Sequence, residues 1–134
     1  MSQPFLYGAY DKEEMKRLIL AAESSPELEG FVRPDDEGVH RLPIFFKKEL
    51  VGFATPRQED DGFWRMGAIY VKPAFRRRGL ASKAIREFMA ERKGRAVIED
   101  ENLASQRAFA AAGFTKTRKA SECQGYWWER KVNG

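Results

Sequence analysis

The sequence predicts an α/β fold, in a single domain spanning residues 1–134. Three observations carry that reading. Short segments with the alternation and aromatic or β-branched content of strands are interleaved with segments whose apolar residues recur at helical spacing. The length suits one hydrophobic core and is too short for two. Turn residues separate the segments throughout, and no repeat, low-complexity tract or linker divides the chain.

Taken in order, Phe5 to Tyr10 is aromatic and alternating, which predicts a first strand. Asp11 is a good helix N-cap with Glu14 three residues on, a capping-box pattern. Met15, Leu18, Ile19 and Ala22 then form an apolar face on a helix expected to end near Ser24-Ser25-Pro26. Glu27 to Gly38 is irregular, with Pro34, two aspartates and a glycine. Leu42 to Lys47 and Leu50 to Pro56 predict two strands with a turn at Lys48-Glu49, and Arg57 to Gly62 is a polar turn. Phe63 to Val71 predicts a long strand, followed by a helix from about Gly79 to Arg92 and a buried strand at Ala96 to Glu99. A helix opening at Asn102 comes next, and Phe114 to Lys119 and Tyr126 to Val132 finish the chain as strands around a loop at Ser121 to Gly125.

The segment from Ala68 to Ile85 combines a hydrophobic strand, a break at Pro73, the basic turn Arg76-Arg77-Arg78-Gly79, and an amphipathic helix beginning Leu80-Ala81-Ser82. A helix N-terminus presents N–H groups without intrahelical partners and carries the positive end of the helix dipole. Such a turn binds phosphate. Gly79 lets a ligand approach the backbone, and the three arginines add charge suited to a pyrophosphate. Neither a Gly-Lys-Ser/Thr loop for a nucleoside triphosphate nor a G-x-G-x-x-G dinucleotide loop is present.

This turn, as Arg76-x-x-Gly79-x-Ala81, resembles the acyl-CoA pyrophosphate motif of the GNAT N-acetyltransferase superfamily. The segment Asn102-Leu103-Ala104-Ser105-Gln106-Arg107-Ala108-Phe109-Ala110-Ala111-Ala112-Gly113-Phe114 resembles that family's second motif, in the same order along the chain. Local physics agrees: Asn102 can cap a helix, the Ala-rich run favours one, and Gly113 sits where a left-handed C-cap is expected. The resemblance implies a central mixed, mostly antiparallel sheet of about six to seven strands, splayed between the fourth and fifth, with about four helices. It implies acetyl-CoA as co-substrate and direct acetyl transfer to a primary amine. The cofactor residues it implies are the Ile69, Tyr70 and Val71 backbone, Arg76, Arg77, Arg78, Gly79, Leu80, Ala81 and Ser82, with Asn102, Ser105 and Phe109 on the second helix.

Composition narrows the alternatives. A hydrophobic content of 43% argues for a folded globule, and no apolar run approaches the ~20 residues of a membrane span. The N-terminus lacks a basic segment followed by a long apolar one, and the lone Cys123 excludes an internal disulfide, so a reducing cytoplasm is expected. No His/Cys cluster has metal-ligand spacing, and Cys123 has no neighbouring His pattern of a nucleophile. The net charge of +4 suits a polyanionic cofactor. It also leaves open a nucleic-acid-borne amine as acceptor, and the resemblance admits a homodimer.

The proton-transfer groups are less well defined. Many family members carry Tyr where this chain has Phe109, which has no proton to give a departing thiolate. Ser105, a water or another tyrosine could substitute, or no acid is needed; Tyr70 and Tyr126 are expected in packing roles. Glu99, Asp100 and Glu101 lie at the exit of the strand beside the cofactor strand, and alternation would put Glu99 and Glu101 on one face. Glu99 is the candidate base. His40 is expected at the surface. Acids at Asp35, Asp36, Glu37, Glu59, Asp60 and Asp61 would favour a cationic amine. A fold that holds CoA without transferring acetyl is the rival reading.

Overall fold

A computed structural model describes residues 10–25 and 40–132. The strand expected at Phe5 to Tyr10 and the irregular stretch Glu27 to Gly38, with Asp35, Asp36 and Glu37, fall outside those residues apart from Tyr10, which sits in a bend. The described residues form three α-helices and six strands: α1 Lys12–Glu23, β1 Leu42–Phe46, β2 Glu49–Gln58, β3 Trp64–Val71, α2 Leu80–Met89, β4 Gly94–Glu99, α3 Leu103–Ala111, β5 Thr115–Lys119 and β6 Gly125–Arg130. Against an expectation of about four helices, a short 3-10 turn at Pro73–Phe75 is the remaining helical piece among them.

The strands make one mixed sheet in the order β1-β2-β3-β4-β6-β5. Every adjacent pair is antiparallel except β3 and β4, which run parallel. That parallel pair is brief: Trp64 faces Gly94 and Arg65 faces Arg95, and pairing stops there. The sheet is therefore splayed between β3 and β4, the fourth and fifth strands when the one expected at Phe5 to Tyr10 is counted first, and an opening lies between the remainder of the two strands.

Adjacent side chains of β3 point to opposite faces and meet different helices. Tyr70 packs with Leu50 and Phe53 against Met15, Leu18, Ile19 and Ala22 of α1, the apolar face expected from spacing. Asp11 caps that helix, its Oδ1 accepting the Glu13 and Glu14 N–H groups at 2.9 Å each. Ile69 and Val71 turn the other way, towards Leu80, Ala81 and Ala84 of α2. The main core joins Ile85, Phe88 and Met89 of α2 to Phe109 of α3 and its C-cap Ala112, over Ala54, Met66, Ala96, Ile98 and Trp128.

Several boundaries differ from expectation: β2 runs on to Gln58 through the start of the expected polar turn, α2 stops at Met89 rather than near Arg92, β4 opens at Gly94 rather than Ala96, and β6 stops at Arg130 rather than Val132. The β1–β2 turn is Lys47-Lys48 rather than Lys48-Glu49; both residues have positive φ (49° and 71°), the backbone that matches the twist of a two-residue hairpin. Lysines are unusual there, which is why composition misplaced the turn. Asp100 and Glu101 lie in a turn, not on β4, so strand alternation does not extend past Glu99.

Candidate functional site

β3 and β4 deliver the chain to the same end of the sheet, and each is followed by a helix whose N-terminus sits at that end. Open α/β sheets bind ligands outside the carboxyl ends of parallel strands where neighbouring connections part. After β3 the turn takes a left-handed residue at Arg77 (φ 64°) and another at Gly79 (φ 72°) before α2 begins. A left-handed residue followed by helical ones makes successive N–H groups converge into a concavity for an anion. Lys83 is the first residue of α2 to bond back, its N–H to the Gly79 carbonyl at 3.0 Å, so the Leu80, Ala81 and Ser82 N–H groups precede the intrahelical ladder. The Ser82 hydroxyl donates to the Gly79 carbonyl at 3.1 Å, closing the turn from below.

The three arginines do different things. Arg76 folds back: its Nε donates to the Val71 carbonyl at 2.8 Å, and its guanidinium lies 5.7 Å from the Tyr70 ring centroid. Its side chain thus secures the end of β3 instead of reaching over the turn. The Arg78 guanidinium lies 5.1 Å from the Phe46 ring centroid. Arg77 is exposed. A non-glycine left-handed residue costs roughly 1–2 kcal/mol, and such strain concentrates at ligand clamps.

The backbone of β3 beside the opening follows from two hydrogen bonds. Trp64 donates its N–H across the parallel pair to Lys93 O at 2.8 Å, whereas Lys72 donates to Val51 O of β2 at 2.8 Å. Counting back by antiparallel alternation from Lys72, Tyr70 directs its polar groups to β2, and Ile69 and Val71 direct theirs to the opening. Tyr70, expected with them as a backbone contact, is turned away. The Val71 carbonyl is already engaged by Arg76.

On the far wall, Asn102 caps α3, its Oδ1 accepting the Ser105 N–H at 3.1 Å. Gln106, which sequence reasoning passed over, ties α3 to the end of β4 by donating to the Glu99 and Asp100 carbonyls at 3.2 and 3.0 Å. A polar residue one turn into a helix carries no local sign of such a role. Phe109 is in the core, 3% exposed, its ring edge-on to Phe114 at 4.9 Å. Glu99 is exposed at the end of β4, five residues along from Gly94, as Ile69 is five along from its partner Trp64. Both lie beyond the last paired residues, Arg65 and Arg95, on the two strands that flank the opening.

Glu99 also bears on the one cysteine. Burial raises the Cys123 thiol above its ordinary value, and the carboxylates of Glu99, Glu122 and Asp100 raise it further. That thiol is protonated near neutrality and is a poor nucleophile. Two of the acids expected to attract a cationic acceptor are committed elsewhere: Glu59 pairs with Arg95 at 3.2 Å, and Asp61 with Arg95 at 2.6 Å. The Phe63 N–H and Arg95 hold the Asp61 carboxyl below its usual value. His40 donates its backbone N–H to Pro56 O, and its ring lies tilted against Trp64 at 5.3 Å, partly buried rather than fully at the surface. No group of His, Cys, Asp and Glu among the described residues could hold a metal ion, and no helix among them is long and apolar enough to cross a membrane.

Residues 4–114 match the family profile described as the Acetyltransferase (GNAT) family. Among solved structures, the aminoglycoside acetyltransferase AAC(6')-Ib in complex with coenzyme A and kanamycin is similar at 14% identity and a TM-score of 0.70, with 91% of each chain covered. A GNAT family acetyltransferase from Elizabethkingia anophelis with acetyl-CoA bound is similar at 13% identity and a TM-score of 0.63, with 93% of each chain covered. An acetyltransferase from Thermus thermophilus is similar at 19% identity and a TM-score of 0.65, with 87% of each chain covered. At these identities the likeness is one of fold. No curated protein matches the sequence.

Proposed function

This chain belongs to the GNAT acetyltransferase family, a family of acyltransferases, and from that premise we propose that it transfers acetyl directly from acetyl-CoA to a primary amine. The observation that carries the reading is the junction of the left-handed Arg77–Gly79 turn with the open edge of β3. The converging N–H groups of Gly79, Leu80, Ala81 and Ser82 receive the pyrophosphate, with Arg77 and Arg78 adding positive charge. From there an amide-bearing arm can run along Ile69 and Val71 as an added strand, since an unpaired strand edge is a template for extended polar ligands. The helix capped by Asn102, with Ser105 in its first turn, forms the opposite wall.

The thioester then lies near Ile69, across from Glu99. Glu99 takes the ammonium proton of the acceptor, directly or through water, and the amine attacks the thioester carbon. Backbone N–H polarisation of the carbonyl oxygen stabilises the tetrahedral oxyanion. The thiolate leaves without a hydroxyl at position 109, whose ring is occupied in the core. The carboxylates at Glu99, Asp100 and Glu122 favour a cationic acceptor such as an amine on a small molecule. The relatives that bind aminoglycosides support a small-molecule amine without naming this one. A single domain and a cytoplasmic setting suit this reading.

The test is calorimetric titration with CoA and acetyl-CoA, followed by thiol release against panels of polyamines, aminoglycosides, peptides and amine-bearing nucleic acids. Binding with transfer to one class supports the proposal and identifies the acceptor. Tight CoA binding with no transfer to any panel would favour the rival of a CoA-binding protein, and no binding at all would discard the cofactor site.

A further inference from the structure

β2 and β3 fall out of step in the middle of their ladder. Between Ala54 and Pro56, β2 advances two residues while β3 advances three, from Met66 to Ile69. The surplus is a β-bulge at Gly67–Ala68. Thr55 fills the gap with its side chain: its Oγ1, in a residue 5% exposed, accepts the Ala68 N–H at 2.8 Å and lies 3.5 Å from the Ala68 carbonyl. Gly67 is required opposite it, because a Cβ there would stand 2.7 Å from Thr55 Oγ1 and 2.9 Å from the Thr55 carbonyl oxygen.

The bulge decides which residues face the opening. Trp64 sends its N–H to the β4 side and Lys72 sends its N–H to β2, although both are even-numbered. A regular strand would keep them alike. The phase therefore reverses once between them, and the bulge supplies the reversal. Without it, Ala68 and Tyr70 would face the opening and Ile69 would face β2.

We propose that Thr55 is the positioning residue of this enzyme: by holding the bulge, its hydroxyl aims the Ile69 N–H at the acetyl carbonyl oxygen of bound acetyl-CoA. The inference rests on the acetyl-CoA reading above. Thr55 touches no substrate; it acts through the backbone, and its effect belongs to polarisation of the thioester rather than to the hold on the CoA pyrophosphate. Loss of a single donor at a developing oxyanion lowers turnover by roughly 100- to 1000-fold.

Infrared difference spectroscopy with acetyl-CoA carrying 13C at the acetyl carbonyl tests this without knowledge of the acceptor. In the wild-type protein the bound carbonyl stretch is expected below that of free acetyl-CoA. Thr55→Val, which keeps the shape and loses the hydroxyl, should return it towards the free value at unchanged CoA affinity, and Thr55→Ser should retain the wild-type shift. A folded Thr55→Val protein with the wild-type shift would overturn the proposal, as would failure of Thr55→Ser to retain it. A second measurement needs no variant. The chain has five isoleucines, so 15N-isoleucine labelling gives few amide signals, and the Ile69 amide proton should move on adding acetyl-CoA beyond its response to CoA alone. Identical responses to the two ligands would refute the role of Thr55 while leaving the cofactor site intact. Absence of any response to either, with no binding by calorimetry, would instead refute the acetyl-CoA reading.

Discussion

The helices α2 and α3 pack side by side, and their two ends are finished in opposite ways. At the N-terminal ends, short polar groups and glycine leave donors available: Gly79 has no side chain to offer, and Asn102 satisfies only the Ser105 N–H. At the C-terminal ends the carbonyls are sealed. Arg130, 6% exposed, donates its Nε to Ala112 O at 2.9 Å and its Nη1 to Met89 O at 2.6 Å. One buried cation thus caps both helices at the negative ends of their dipoles, which accounts for its burial without a carboxylate partner among the described residues. Gly113, at φ 92°, completes the α3 stop where a Cβ would approach Arg130 Nε at 3.0 Å. Side-chain donors close one pair of ends, and N–H groups outside the intrahelical ladder remain at the other.

That contrast predicts separable losses. Gly79→Val should abolish CoA binding, read by calorimetry. A Cβ at that position meets no protein atom nearer than Ser82 Oγ at 3.9 Å, so the fold has room and bears only the dihedral strain of roughly 1–2 kcal/mol. Unchanged CoA affinity in the folded variant would place the anion elsewhere.

Arg130→Met should do the converse. It leaves the Met89 and Ala112 carbonyls without their charged donor and should lower stability by about 3 kcal/mol in urea unfolding. Affinity for CoA in the folded fraction should stay as in the wild type. A loss of affinity comparable to that of Gly79→Val would show that the sealed ends also shape the cleft.

Asn102→Ala sits between these extremes. Loss of the cap should cost about 1 kcal/mol, with a further drop in CoA affinity if α3 lines the cofactor. Lost stability with full affinity would reduce Asn102 to a cap.

The smallest effect concerns Glu99 and sharpens the comparison at the open end. Its carboxylate is among the groups that raise the Cys123 thiol, after burial. Glu99→Gln should therefore let the thiol ionise at lower pH, seen as a downward shift in the pH midpoint of iodoacetamide alkylation. The same variant should lose the acidic limb of the transfer pH profile if Glu99 is the base. A shifted alkylation midpoint with an unaltered transfer profile would keep Glu99 beside Cys123 but discard it as the base.

Much of this organisation is legible locally. Asp11, Asn102 and Gly113 act within one helical turn, so their caps follow from neighbouring residues, and Gly79 announces its left-handed turn in the same way. The apolar face of α1 follows from spacing alone. Family motifs added the opening between β3 and β4, which no periodicity contains. Less legible was the turn at Lys47-Lys48, where two lysines adopt a backbone usually given to Asn and Gly. Pro56 was expected only as the end of a strand, and no local residue shows which neighbour carries the extra residue.

The helices, their caps and the phosphate-type turn could be read from the order of residues, because each depends on contacts within a few positions. How they are used depends on long-range packing. Thr55 meets Ala68 across 13 residues, and Arg130 reaches Ala112 across 18 and Met89 across 41. The Arg76 side chain could extend over the turn or fold onto β3, and only the position of Val71 O and the Tyr70 ring selects the second. Register, bulge and the destination of a long side chain are properties of the partner strand, which no local stretch of sequence specifies.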